Sequence, residues 1–135
     1  MADIILWRLA LAVGLMAGGV GLYWLSNRWL LRRAHNSIGD LLPNHSRTPV
    51  LVYFTTPTCV PCKTVQRPAI EKVRGMLGET FQIVEIDATE RPDLARRWGV
   101  MSVPTTFVLD AQGNARYVNN GVARADKLLK QIQAV

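Results

Sequence analysis

A chain of 135 residues leaves room for one small domain and one extra segment. Its formal net charge of +6 supports no nucleic-acid claim, because the first 35 residues hold half of that excess as four Arg against one Asp. Two cysteines and two histidines make a poor zinc site, since His35 and His45 lie far from the cysteines and are too widely separated for the usual histidine spacing.

From Ile4 to Leu25 the sequence is apolar apart from Arg8. The run Leu9 to Leu25 is about long enough to cross a hydrocarbon core when its flanks reach the interface. Trp7 at one end and Tyr23, Trp24 and Trp29 at the other suit interfacial anchoring, and Arg8 can snorkel to the near surface. A single N-terminal transmembrane helix with a basic flank is therefore predicted over residues 1–33, in contact with membrane lipid. A cleaved secretory signal is the competing reading, but Ser26 to Arg33 is bulky and basic and offers no small-residue cleavage pattern. Gly14 and Gly18 form a G-x-x-x-G pair that, beside Gly19 and Gly21, reads as ordinary helix-packing composition. Arg28, Arg32 and Arg33 outnumber Arg8, which places the rest of the chain on the cytoplasmic side of the membrane. The difference is a few charges, so the opposite topology stays open.

Residues 34–48 read as a linker, with a polar Asn36-Ser37-Ile38-Gly39-Asp40 and a turn-rich Pro43 to Pro49. A foldable domain over 49–135 follows. Its predicted elements are strand Val50–Thr55, helix Cys59–Leu77, strand Phe81–Asp87, helix Pro92–Trp98, strand Thr105–Asp110, a turn at Ala111-Gln112-Gly113-Asn114, strand Ala115–Asn119 and helix Arg124–Ala134. Alternating strands and helices predict an α/β layer structure whose last two strands form a hairpin. Arg96-Arg97 beside Trp98 is the basic-aromatic cluster of this domain. It sits at a helix end, where cations suit the dipole, and reads as a solvated face rather than a nucleic-acid footprint.

The chemistry is concentrated in Cys59-Val60-Pro61-Cys62, placed where a strand's loop enters a helix. Unpaired N–H groups and the positive end of the dipole favour an anion there, which lowers a thiol's pKa and supplies thiolate. Pro61 fits the first turn because its missing N–H has no partner to lose. Cys62, three residues on, shares the helix face of Cys59 and can attack a mixed disulfide formed there. Covalent haem attachment would need His where Lys63 stands. An inert structural disulfide across so short a loop would constrain the unfolded chain little. No metal and no cofactor are predicted.

Val52-Tyr53-Phe54 leading into Cys59-Val60-Pro61-Cys62-Lys63, Ile86-Asp87 with Pro92-Asp93-Leu94-Ala95, Trp98-Gly99-Val100-Met101-Ser102-Val103-Pro104-Thr105, and then Gly113 and Gly121 follow one another. In that order the domain resembles the thioredoxin family over nearly everything after residue 48. The resemblance implies a thioredoxin-like α/β fold with helices on both faces of the sheet. The family's first strand and helix are absent here or reduced to Asn36–Leu42, so four strands are expected. It also implies Cys59 as an exposed nucleophile, Cys62 as a buried resolving thiol, and Pro104 as a cis-proline facing them. The Val103 backbone would pair with an extended substrate segment, and Val60, Pro61 and Lys63 would be active-site neighbours.

The chain departs from the family at three further residues. Thr58 stands where most members have Trp, and Tyr53 where they bury an acid. Glu85 is an acidic candidate on the neighbouring strand, expected to face solvent. Pro68 falls one position later than the family's helix-kinking proline. The expected function is a membrane-anchored protein-disulfide reductase acting by thiol–disulfide exchange on protein disulfides and served by an upstream thiol reductant. Val-Pro between the cysteines lacks the histidine of strongly oxidising members, which favours a reductant. Two alternatives are an extracytoplasmic thioredoxin-like protein of the cytochrome c maturation type, whose usual mid-fold insertion is missing here, and a non-catalytic binding module tethered to a membrane complex. A glutathione-linked, glutaredoxin-like activity has no recognisable Arg/Lys grip for the tripeptide.

Overall fold

The computed structural model describes residues 2–36 and 47–135. Helix α1 (Ala2–Asn36) runs for 35 residues with Asp3 in its first turn. Within it, Asp3–Arg32 is long and apolar enough to cross a membrane by length and composition, criteria that an N-terminal signal sequence also meets. The residues expected as linker begin as the last turn of α1, and 37–46 lie outside the described residues. The expected remnant Asn36–Leu42 and His45 fall almost wholly there.

The remainder is one four-stranded sheet in the order β2-β1-β3-β4, built from β1 (Val50–Thr55), β2 (Gln82–Asp87), β3 (Thr105–Leu109) and β4 (Ala115–Asn120). β1 pairs parallel with β2 and antiparallel with β3, which pairs antiparallel with β4. β1 is buried at every position, as its unbroken apolar run demands of a strand covered on both faces. Alternation along β1 then sorts two cores. Leu51 and Tyr53 face Ile70 and Val73 of α2 (Arg67–Leu77) and Leu128 and Ile132 of α4 (Ala125–Gln133). Val50, Val52 and Phe54 face Leu94 and Ala95 of α3 (Pro92–Arg97) together with Trp98. On that side Trp98 meets Phe107 edge-on with ring centroids 5.0 Å apart, and Phe54 at 5.8 Å. The β3–β4 turn is held by the Asp110 carboxylate, which accepts the N–H groups of Gln112 and Asn114 at 3.0 and 2.8 Å. Gly113 closes that turn at φ +83°, a left-handed conformation that glycine adopts without steric cost.

One predicted element is corrected. The segment expected as a single helix Cys59–Leu77 turns helical at Val60, passes through a π-helical turn over Cys62–Gln66, and only then becomes α2. Pro68 is the cause. It has no N–H to offer the Thr64 carbonyl and its ring crowds that group, so the Arg67 N–H reaches back five residues to the Cys62 carbonyl. A π turn holds one more residue than an α turn, and it takes up the single position by which Pro68 is displaced. The other element ends within the domain differ from expectation by one residue at most, and α1 runs three residues past its expected end.

Candidate active site

β1 delivers the chain to Thr56, whose carbonyl accepts the Cys59 N–H at 3.2 Å. Cys59 and Cys62 are joined by a disulfide with their Cα atoms 5.3 Å apart. The Cys62 N–H points at the Cys59 sulfur at 3.2 Å, and the Lys63 N–H donates to the Cys59 carbonyl at 3.4 Å. Once the bond is reduced, that first-turn amide stabilises negative charge on the Cys59 Sγ.

Exposure at the pair corrects one expectation. Cys62 is closed at 1% and Cys59 keeps only 8%, so Cys59 is the more open of the two but is not an exposed residue. Val60, at 67%, and the exposed Pro61 and Lys63 form the rim instead. Val103 packs against the cluster that contains Cys59, Cys62 and Tyr53. The Val103–Pro104 peptide is cis. The buried Pro104 gives its carbonyl to the Gly121 N–H at 2.8 Å, and Gly121 meets it at φ +91°. Thr58 is exposed.

Tyr53 is 1% exposed, and its hydroxyl donates to the Cys62 carbonyl at 3.2 Å. That oxygen thus receives two donors, the Tyr53 O–H and the Arg67 N–H of the π turn. Burial holds the Tyr53 phenol above its ordinary pKa; a Thr55 hydrogen bond pulls it down, and Glu85 and Arg67 push in opposite directions. The position where the family buries an acid therefore carries a neutral donor. Glu85 lies beside Tyr53 in the parallel register and faces outward as expected. It accepts from Arg67 at 2.6 Å with both side chains about half exposed. Tyr53, Arg67, Glu85, Ile70 and Arg74 line a pocket of about 240 Å³ beneath the active-site helix.

Gln66 is a residue the sequence reading missed. It is fully buried, its Nε2 donates to the Ala123 carbonyl at 3.1 Å, and its Oε1 accepts the Ala123 N–H at 2.8 Å. The π turn behind Cys62 is thereby fastened to the loop that leads into α4. A detectable signal existed: Gln66 interrupts an apolar face otherwise made by Cys62, Ile70 and Val73. Among the described residues, no group of three or more His, Cys, Asp or Glu could hold a metal ion.

Comparison with known proteins places this arrangement. The thioredoxin family model matches residues 39–134. A thioredoxin-like protein of Synechocystis is 36% identical over 88 residues, covering 65% of this chain and 82% of that protein. Thioredoxin Y of rice chloroplasts is 30% identical over 103 residues, 76% of this chain and 60% of that protein. Thioredoxin of Bacillus subtilis is 42% identical over 60 residues, 44% of this chain and 57% of that protein. The chain thus spans under two thirds of the last two. Among solved structures, a malaria-parasite thioredoxin-2 superposes with TM-score 0.63 at 22% identity, over 68% of this chain and 87% of that one. Chloroplastic thioredoxin z gives 0.59 at 23%, over 73% and 86%. These two likenesses speak to the fold. The chain belongs to the thioredoxin family, a thiol–disulfide oxidoreductase whose active-site CxxC pair is Cys59 and Cys62.

Proposed function

We propose that this oxidoreductase is a protein-disulfide reductase tethered to a membrane surface by a retained α1. The observation that carries the chemistry is the Cys62 N–H aimed at the Cys59 sulfur, which marks Cys59 as the sulfur that bears charge after reduction. Cys59 thiolate attacks a substrate disulfide, forming a mixed disulfide and releasing one substrate thiolate, which takes up a proton. Cys62, having lost its proton, then attacks the Cys59 Sγ and releases the second substrate thiol. The substrate gains two electrons, the enzyme is left as the Cys59–Cys62 disulfide, and an upstream thiol reductant restores the dithiol. Val103 and Pro104 are assigned to substrate binding, because Val103 packs on the dithiol's cluster, with Val60, Pro61 and Lys63 at the rim.

The domain division that accompanies this reading is an anchor at 1–33, a linker at 34–48 and the catalytic domain at 49–135. The apolar length of α1 and the bulky basic stretch after Leu25 support an anchor over a cleaved signal. The Arg28, Arg32, Arg33 flank supports a cytoplasmic catalytic domain. Insulin reduction by the full chain, with Cys59→Ser as control, tests the activity; a rate equal to that of the variant overturns it. Labelling of reduced Cys59 by an impermeant thiol reagent in intact cells overturns the cytoplasmic side, and labelling only after lysis supports it.

A further inference from the structure

The C-terminal half of α1 lies against the start of β4, and between them is a cleft of about 540 Å³. Trp24, Asn27, Arg28 and Leu31 line it from α1, and Arg116 and Tyr117 from β4. We propose that this cleft binds the phosphate of an anionic phospholipid headgroup. The proposal rests on α1 being a membrane anchor.

Charge is the first reason. Two guanidiniums from separate elements converge on one cleft that has no acidic lining residue, and neither has an ion-pair partner among the described residues. An arginine's planar fork matches phosphate oxygens, and two such side chains with the Asn27 amide make a donor-rich cleft suited to an anion. Depth is the second reason. The apolar run ends at Leu25, and at about 1.5 Å per helical residue Arg28 stands roughly 4.5 Å further out, in the headgroup layer. Trp24 and Tyr117, at the same level, are side chains with an apolar body and a polar tip, which favour that layer. Depth also selects the source of the phosphate, because a cleft at this level meets lipid before it meets a soluble anion.

The sheet register then orients the catalytic end. Ala115, at the start of β4, pairs with Leu109, and Leu109 pairs with Val50 at the start of β1. The dithiol follows Thr55, at the other end of β1. Five strand steps at about 3.3 Å place it roughly 17 Å further along the sheet. Headgroup binding at Arg28 and Arg116 therefore engages the end of the sheet opposite the one that carries Cys59.

The test is amide hydrogen exchange of the full chain in nanodiscs of neutral phosphatidylcholine or of phosphatidylcholine with phosphatidylglycerol, at equal ionic strength. Peptides covering 115–120 should exchange more slowly in the anionic discs, with Arg116→Ala and Arg28→Ala each reducing that protection about fivefold and Arg116→Lys, which keeps the charge without the fork, reducing it less. Equal exchange in the two discs, or protection that survives both alanine variants, overturns the proposal. If millimolar inorganic phosphate gives the same protection in neutral discs, the ligand is a free anion and the lipid assignment is overturned. A chain that elutes apart from both kinds of disc instead overturns the anchor, a separate outcome read before any exchange is measured. Arg116→Ala should leave insulin reduction in detergent unchanged, which certifies its fold.

Discussion

Replacing Gln66 by Leu keeps the side chain's bulk and removes both of its hydrogen bonds. The partners lost are the N–H and C=O of Ala123, a residue only 1% exposed, so water cannot readily take Gln66's place. An unsatisfied buried backbone group costs about 1–3 kcal/mol. Two of them, less roughly 1 kcal/mol for the more favourable burial of Leu, give a loss of about 1–5 kcal/mol. A domain of this size is stable by about 5–10 kcal/mol, so the variant still folds but with much of its margin gone. Urea unfolding of the full chain in detergent, followed by Trp emission, reads the change. Trp98 passes from complete burial to solvent, whereas Trp7, Trp24 and Trp29 are already exposed on the protein surface. At an m-value of about 1.3 kcal/mol/M, the midpoint should fall by roughly 0.8–4 M. A fall of under about 0.5 M at unchanged m would refute the claim that this pair of hydrogen bonds holds the π turn in place.

Three further outcomes follow from the same geometry. Tyr53→Phe leaves the Cys62 carbonyl with its Arg67 donor, so it should cost only about 1 kcal/mol near neutral pH. Burial raises the Tyr53 phenol above its ordinary 10.0, so its contribution is complete below about pH 10 and is lost as pH rises through the folded value; urea midpoints should converge above about pH 10, and a constant gap sinks this account. Deleting Val65, which is exposed within the π turn, should convert the turn to a regular α turn and change stability by no more than about 1 kcal/mol; a loss above about 3 kcal/mol would mean that the extra residue is not simply looped out. Asp110→Ala removes the acceptor for the Gln112 and Asn114 N–H groups and for Asn114 Nδ2. It should lower Tm by roughly 5–10 °C, and a drop of under about 2 °C would show that the hairpin turn holds without it.

The strands were legible because burial wrote them into the sequence. β1 must be apolar on both faces, so Val50 to Phe54 reads as a strand without ambiguity, and the hairpin announces itself through the turn formers Gly113 and Asn114. The Cys59–Cys62 pair was legible from its spacing at the head of a helix, whereas Val103 and Pro104 stood out through the family resemblance alone. What escaped was set by contacts between distant parts of the chain. Gln66 looks like a surface residue until Ala123, 57 positions later, is folded against it. Tyr53 reads as core bulk, and only the path of the active-site helix shows where its hydroxyl goes. The displacement of Pro68 was visible, but propensity has no term for a hydrogen bond that skips five residues, so the π turn was not. The low exposure of Cys59 likewise belongs to tertiary packing, in the cluster it shares with Tyr53 and, from the distant loop, Val103.

Two departures from the family pattern become a single feature at the Cys62 carbonyl. In a regular α-helix that oxygen would accept the Gln66 N–H and be spent. The displacement of Pro68 moves the bond to Arg67, and in the wider turn the same oxygen also receives the Tyr53 hydroxyl from β1. An ionised carboxylate at position 53 would aim negative charge at a carbonyl oxygen, whereas a phenol kept neutral by burial supplies the donor that the oxygen can use. The extra residue before Pro68 and the exchange of an acid for Tyr53 are therefore mutually consistent. Tyr53→Asp alone should be worse tolerated than Tyr53→Phe, because it replaces a missing hydrogen bond with a buried charge beside a carbonyl oxygen.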